Sequence, residues 1–107
     1  MNVSEAVFKR RTIRRYKQQP LEKGLLEILL DAARVAPCGG NMQHIRYSVV
    51  SGGELLKKVF AETMWGAWVK PARSPIFGKT SPAAFIVLSA RNGLPVTVHA
   101  DAGAAIQ

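Results

Sequence analysis

The chain has 107 residues, enough for one domain and too few for separate catalytic and regulatory domains. With 48% apolar and 21% charged residues it is too hydrophobic for a disordered tail. Its longest apolar stretches, such as Ala83–Leu88, fall far short of the roughly 20 residues that cross a bilayer as a helix, so no membrane partner is expected. Fifteen Lys and Arg against seven Asp and Glu give a net charge of +8, which calls for phosphates, nucleic acid or an acidic partner. Met1-Asn2-Val3-Ser4-Glu5 lacks the basic start and apolar run of a secretory signal, and the single Cys38 allows no internal disulfide. A reducing cytoplasm is the expected compartment.

Asn2 and Glu5 have the spacing of a helix-capping pair, and Val3, Ala6, Val7 and Arg10 follow on one helical face. This predicts a first helix of two turns ending near Arg11, where Thr12-Ile13 and the approach to Pro20 weaken continuation. From Leu21 the residues Leu25, Ile28, Leu29, Ala32, Val35 and Ala36 recur at helical spacing until Pro37 and Gly39-Gly40 stop them. Ile45, Tyr47 and Val49 alternate with polar residues as a strand with one buried face does. Glu54–Ala61 reads as a short helix with Leu55, Leu56, Val59 and Phe60 inward, followed by a long loop from Thr63 to Thr80.

The apolar run Ala83–Leu88 predicts a second strand covered on both faces. Asn92-Gly93 and Pro95 mark a turn, and a helix rich in small residues is expected from Asp101, with Asp101 as its cap. Gly103 and Ala104 would allow that helix to pack closely. Two strands are marginal alone, so the partners of a doubly covered strand are expected from further residues or from another copy of the chain. The fold class is α+β, with helices around a sheet.

Six of the fifteen cations, Lys9, Arg10, Arg11, Arg14, Arg15 and Lys17, fall within nine residues. Arg10 and Arg14 offer permanently charged planar forks to a phosphate, and Thr12 between them adds a hydroxyl. In an extended segment the three project to one side. The second constellation, Ala36-Pro37-Cys38-Gly39-Gly40-Asn41-Met42-Gln43, has small side chains that admit a flat ligand to the backbone, with the Asn41 and Gln43 amides for its polar edge.

These segments, in this order, resemble the FMN-dependent nitroreductase family. The Arg10–Tyr16 stretch is similar to the family's phosphate site. Ala36, Pro37, Asn41 and Gln43 keep their places in its Ala-Pro-Ser-x-x-Asn-x-Gln-Pro-Trp loop. The Ser81–Leu88 strand and the Asp101-x-Gly103-Ala104-Ala105 helix start also correspond. The resemblance covers nearly the whole chain as a single nitroreductase-like domain, residues 1–107, incomplete at its C-terminus.

It implies that Arg10, Thr12 and Arg14 bind the FMN phosphate, with Arg11 acting mainly through its backbone. Pro37, Cys38, Gly39 and Asn41 would contact the flavin bound to the other subunit of a homodimer. It further implies ping-pong electron transfer from NAD(P)H to a nitroaromatic, quinone or related small molecule. The sequence departs from the pattern at Cys38, where Ser is common, at His44-Ile45 in place of Pro-Trp, and in being shorter than family enzymes.

A basic run also suits a nucleic-acid or interaction module without catalysis. Against nucleic acid, only Tyr16 stands nearby as a stacking platform, and no zinc-finger spacing or recognition helix accompanies the charges. Cys38 has no evident base and receives no catalytic role, and His44 and His99 are not at metal-ligand spacing. Trp65, Trp68 and Phe77 are expected to anchor the long loop rather than to cover a ligand.

Overall fold

The computed structural model describes residues 1–107. Helix α1 spans Val3–Lys9, and the expected pair forms a full capping box: Asn2 Oδ1 accepts the Glu5 N–H at 2.9 Å, and Glu5 Oε2 accepts the Asn2 N–H at 2.9 Å. Helix α2 spans Leu25–Arg34. It starts later than the apolar pattern from Leu21 because Gly24, at φ 83, turns the backbone into the left-handed region just before it. A single 3-10 turn at Gly39–Asn41 follows.

Strand β1 (Arg46–Val50) pairs antiparallel with β2 (Phe85–Ser89), in a register that sets Tyr47 opposite Leu88 and Val50 opposite Phe85. Between them lie α3 (Gly53–Ala61) and the long loop; α4 (Thr97–Ile106) ends the described chain. Helices and a two-stranded antiparallel sheet make the fold α+β. No helix is long and apolar enough to cross a membrane.

Three expectations are corrected. Val49 is exposed and the core residue of β1 is Val50, on the opposite face of the strand and only 8% exposed. Strand β2 is likewise not covered on both faces; Val87 is exposed. Helix α4 begins at Thr97, which puts Asp101 at its fifth position rather than at its cap, and Gly103 is exposed with nothing within 4 Å of where a Cβ would stand.

Packing is thin throughout. Only Val50, Pro75 and Ser81 are buried. The accessible surface is 8838 Å², against about 5,900 Å² for a folded monomer of this mass. The radius of gyration is 15.4 Å, against about 13 Å for a closely packed domain of this length. Apolar side chains that a core would hide stay in water, among them Val7 and Phe8 of α1 and Ile28 of α2.

Candidate functional site

The basic arm leaves α1 at Arg10 and runs to Pro20 without regular structure. Its course is set by the long loop. The Tyr16 N–H donates to the Thr80 carbonyl at 3.0 Å, and Gln18 Nε2 donates to the Ser81 carbonyl at 2.9 Å. The loop is fixed in turn by its aromatics: Trp65 packs edge-on against Tyr16 at 6.4 Å and lies near Phe60 and Phe85, while Phe77 meets Phe60 at 5.4 Å. Trp65 and Phe77 therefore anchor the loop as expected. Trp68 does not; it is 97% exposed.

Within the arm, Arg10 Nη1 lies 3.4 Å from Thr12 Oγ1, so these two side chains share one side. Arg11 turns its guanidinium back to the end of α1, where Nη1 donates to the Phe8 and Arg10 carbonyls at 2.8 Å each. That occupies its side chain, and the partial negative charge at the C-terminus of α1 favours a cation there. Arg14 is half-buried over the turn at Gly66: a Cβ added there would stand 2.6 Å from Arg14 Nε and 3.1 Å from Cζ. The chain's one ion pair joins Arg34 to Asp31 on α2, so no carboxylate neutralises any cation of the arm.

The 36–43 loop is built differently. Gly40, Asn41 and Gln43 take φ of 59, 54 and 53, and the Met42 N–H closes the turn on the Gly39 carbonyl at 3.2 Å. Asparagine tolerates this left-handed region, but glutamine carries a Cβ that costs about 1–2 kcal/mol there. Side chains brace the turn from inside, with Gln43 Nε2 donating to Asn41 Oδ1 at 3.2 Å and Cys38 Sγ lying 3.9 Å from the same oxygen. One bond ties it to a distant element: the Gly39 N–H donates to Asp101 Oδ1 of α4 at 2.9 Å. Beside this turn opens a cleft of about 270 Å³, whose wall includes Pro37, Cys38, Gln43, His44, Tyr47 and Asp101.

Arg10, Thr12 and Arg14 thus fall on one segment, and Pro37, Cys38, Gly39 and Asn41 on another. No hydrogen bond or ion pair joins the two within the chain. Two features escaped the sequence reading: Gly66 as the seat of Arg14, and Asp101 as the tether of Gly39. The second becomes visible only once the structure puts Asp101 inside α4, where an aspartate lowers helix propensity, rather than at its cap.

The nitroreductase family profile matches residues 7–107. A "Putative NADH dehydrogenase/NAD(P)H nitroreductase" of Methanothermobacter thermautotrophicus is 35% identical over 72 residues, covering 67% of this chain and 38% of that protein. An "NADH dehydrogenase" of Thermus thermophilus is 44% identical over 50 residues, covering 47% of this chain and 24% of its own length. The chain belongs to the nitroreductase family. It aligns with less than two fifths of the length of either relative.

Proposed function

We propose that the chain serves an FMN-dependent oxidoreductase that moves electrons from NAD(P)H to a nitroaromatic, quinone or related small acceptor. The supporting observation is the arm: adjacent Arg10 and Thr12 donors, a half-buried Arg14, and no carboxylate among them. This donor set fits a phosphate dianion, for which guanidinium forks and a hydroxyl supply charge-assisted hydrogen bonds. Arg10, Thr12 and Arg14 would hold the phosphate, and the Arg11 backbone would complete the cradle. Bound FMN supplies the electron transfer itself, taking reducing equivalents from NAD(P)H and delivering them to the acceptor.

The loop at Pro37, Cys38, Gly39 and Asn41 takes the ring side of the site, and a second copy of the chain provides it. Two observations support this homodimer. The arm and the loop are not joined within one chain, and the chain exposes about 2,900 Å² more than a folded monomer of its mass. Obligate dimer interfaces take about 1,000–2,500 Å² or more from each partner. The names of the two relatives agree with NADH or NAD(P)H as electron source. Residues 1–107 supply part of a nitroreductase-like domain, cytoplasmic in this reading.

The test is to purify the chain and titrate it with FMN, following flavin fluorescence and the visible spectrum. Saturable binding that Arg10→Ala and Arg14→Ala weaken supports the proposal. A colourless protein that leaves added FMN free, or binding indifferent to both substitutions, overturns it.

A further inference from the structure

We infer that Asp101 is a positioning residue: its carboxylate holds the 38–43 turn in the shape that receives the cofactor ring. The inference rests on the reading of that turn as the ring-side contact. It adds a residue on a different element, to which the sequence assigned only a helix cap.

Three observations carry it. First, the turn holds an unfavourable backbone, with Gly40, Asn41 and Gln43 all in the left-handed region. Such conformations persist only where surrounding structure enforces them. Second, the enforcement from outside is a single bond. From Pro37 to Gln43 every other hydrogen bond stays inside the turn, whereas Gly39 N–H reaches Asp101 Oδ1, 62 residues away, at 2.9 Å.

Third, Asp101 is half-buried at the middle of α4, where an aspartate weakens the helix, and it has no ion-pair partner. Arg34 lines the same cleft, but its guanidinium is engaged by Asp31. Nothing else uses the carboxylate. Thr97, one helical turn earlier, lies beside Gly39 as well, with its Oγ1 3.7 Å from where a Gly39 Cβ would stand, so α4 backs the first residue of the turn along its flank. A carboxylate accepting a backbone N–H makes a charge-assisted bond, stronger than a neutral one. Losing it frees the first amide of the turn and lets Asn41 and Gln43 relax to ordinary φ.

The experiment compares the unaltered chain with Asp101→Ala, Asp101→Asn and, as a control on an exposed carboxylate outside the cleft, Glu62→Ala. Two readouts are taken without cofactor: amide hydrogen exchange over residues 38–43, and the alkylation rate of the Cys38 thiol. A third is the Kd for FMN. Asp101→Ala is expected to speed exchange and alkylation roughly five- to tenfold, to weaken FMN binding by a similar factor, and to leave exchange in α2 and β1 unchanged. Asp101→Asn, which keeps an oxygen acceptor in place, is expected to recover most of both effects, and Glu62→Ala to show neither.

Unchanged exchange and alkylation in Asp101→Ala overturn the inference whatever the cofactor does. A loosened turn with unchanged FMN affinity also overturns it, by removing the turn from the site. If the unaltered chain binds no FMN, the functional reading fails separately, and the tether is then judged on exchange, alkylation and their recovery by Asp101→Asn.

Discussion

The basic arm and the 36–43 turn solve opposite problems. The arm concentrates charge and leaves its backbone irregular, borrowing its course from the long loop through Tyr16 and Gln18. The turn carries no charge and spends its sequence on backbone shape, with left-handed residues braced internally and one tether to α4. Charge attracts from a distance and tolerates imprecise placement, whereas recognition of a flat ring edge depends on amide positions within fractions of an ångström. One half of the site is therefore expected to set affinity, and the other geometry.

Substitutions should divide along the same line. The largest effect is expected from Arg10→Ala with Arg14→Ala: losing two charge-assisted phosphate contacts, each worth about 1.5–3 kcal/mol, should raise the FMN Kd by about 100-fold or more. Melting temperature should fall only slightly, since neither side chain belongs to an ion pair and of the two only Arg14, half-buried over Gly66, loses packing. Isothermal titration beside a thermal melt separates the two readings.

Next comes Gly66→Ala. Gly66 has φ +54, and the added methyl would stand 2.6 Å from Arg14 Nε and 3.2 Å from Val69 Cγ2. The guanidinium must move, at an expected cost of roughly tenfold in FMN affinity if one charge-assisted bond is weakened. Equal affinity in this variant would show that Arg14 does not need its seat.

Asn41→Gly should barely change stability. Glycine relieves the left-handed strain but removes the Oδ1 that braces the turn, so unfolding free energy should stay within about 1 kcal/mol, while loss of the side-chain amide weakens FMN binding a few-fold. Denaturant melts and FMN titration on one preparation check both signs. The smallest effect on function is expected from Asn2→Ala. It removes the capping box of α1 at a local cost of about 1 kcal/mol, visible as reduced helicity, and leaves FMN affinity within twofold.

Local chemistry was the legible part of the sequence. Asn2 and Glu5 announced their capping box, Pro37 with Gly39-Gly40 announced the end of α2, and Trp65 and Phe77 behaved as loop anchors, because each depends on neighbours a few residues away or on plain apolarity. The two segments proposed for the site were marked in the same way, by clustered Arg and by small residues. What depends on distant surfaces was not legible. Val49 rather than Val50 was expected inside because alternation separates the two faces of a strand without telling which of them the rest of the chain covers at each position. Helix α4 was begun four residues late because Thr97–Ala100 carries no capping signal; its N-cap position, Val96, makes no side-chain bond. The Gly39–Asp101 tether spans 62 residues and leaves no spacing rule to detect it.

Native mass spectrometry of the chain with added FMN tests the shared site most directly, because it counts subunits and cofactors together. The expected species is a dimer carrying two FMN molecules, reduced to cofactor-free protein by Arg10→Ala with Arg14→Ala. A monomer that stays free of FMN at saturating cofactor, or one that binds FMN without a second copy, would contradict a site divided between two chains.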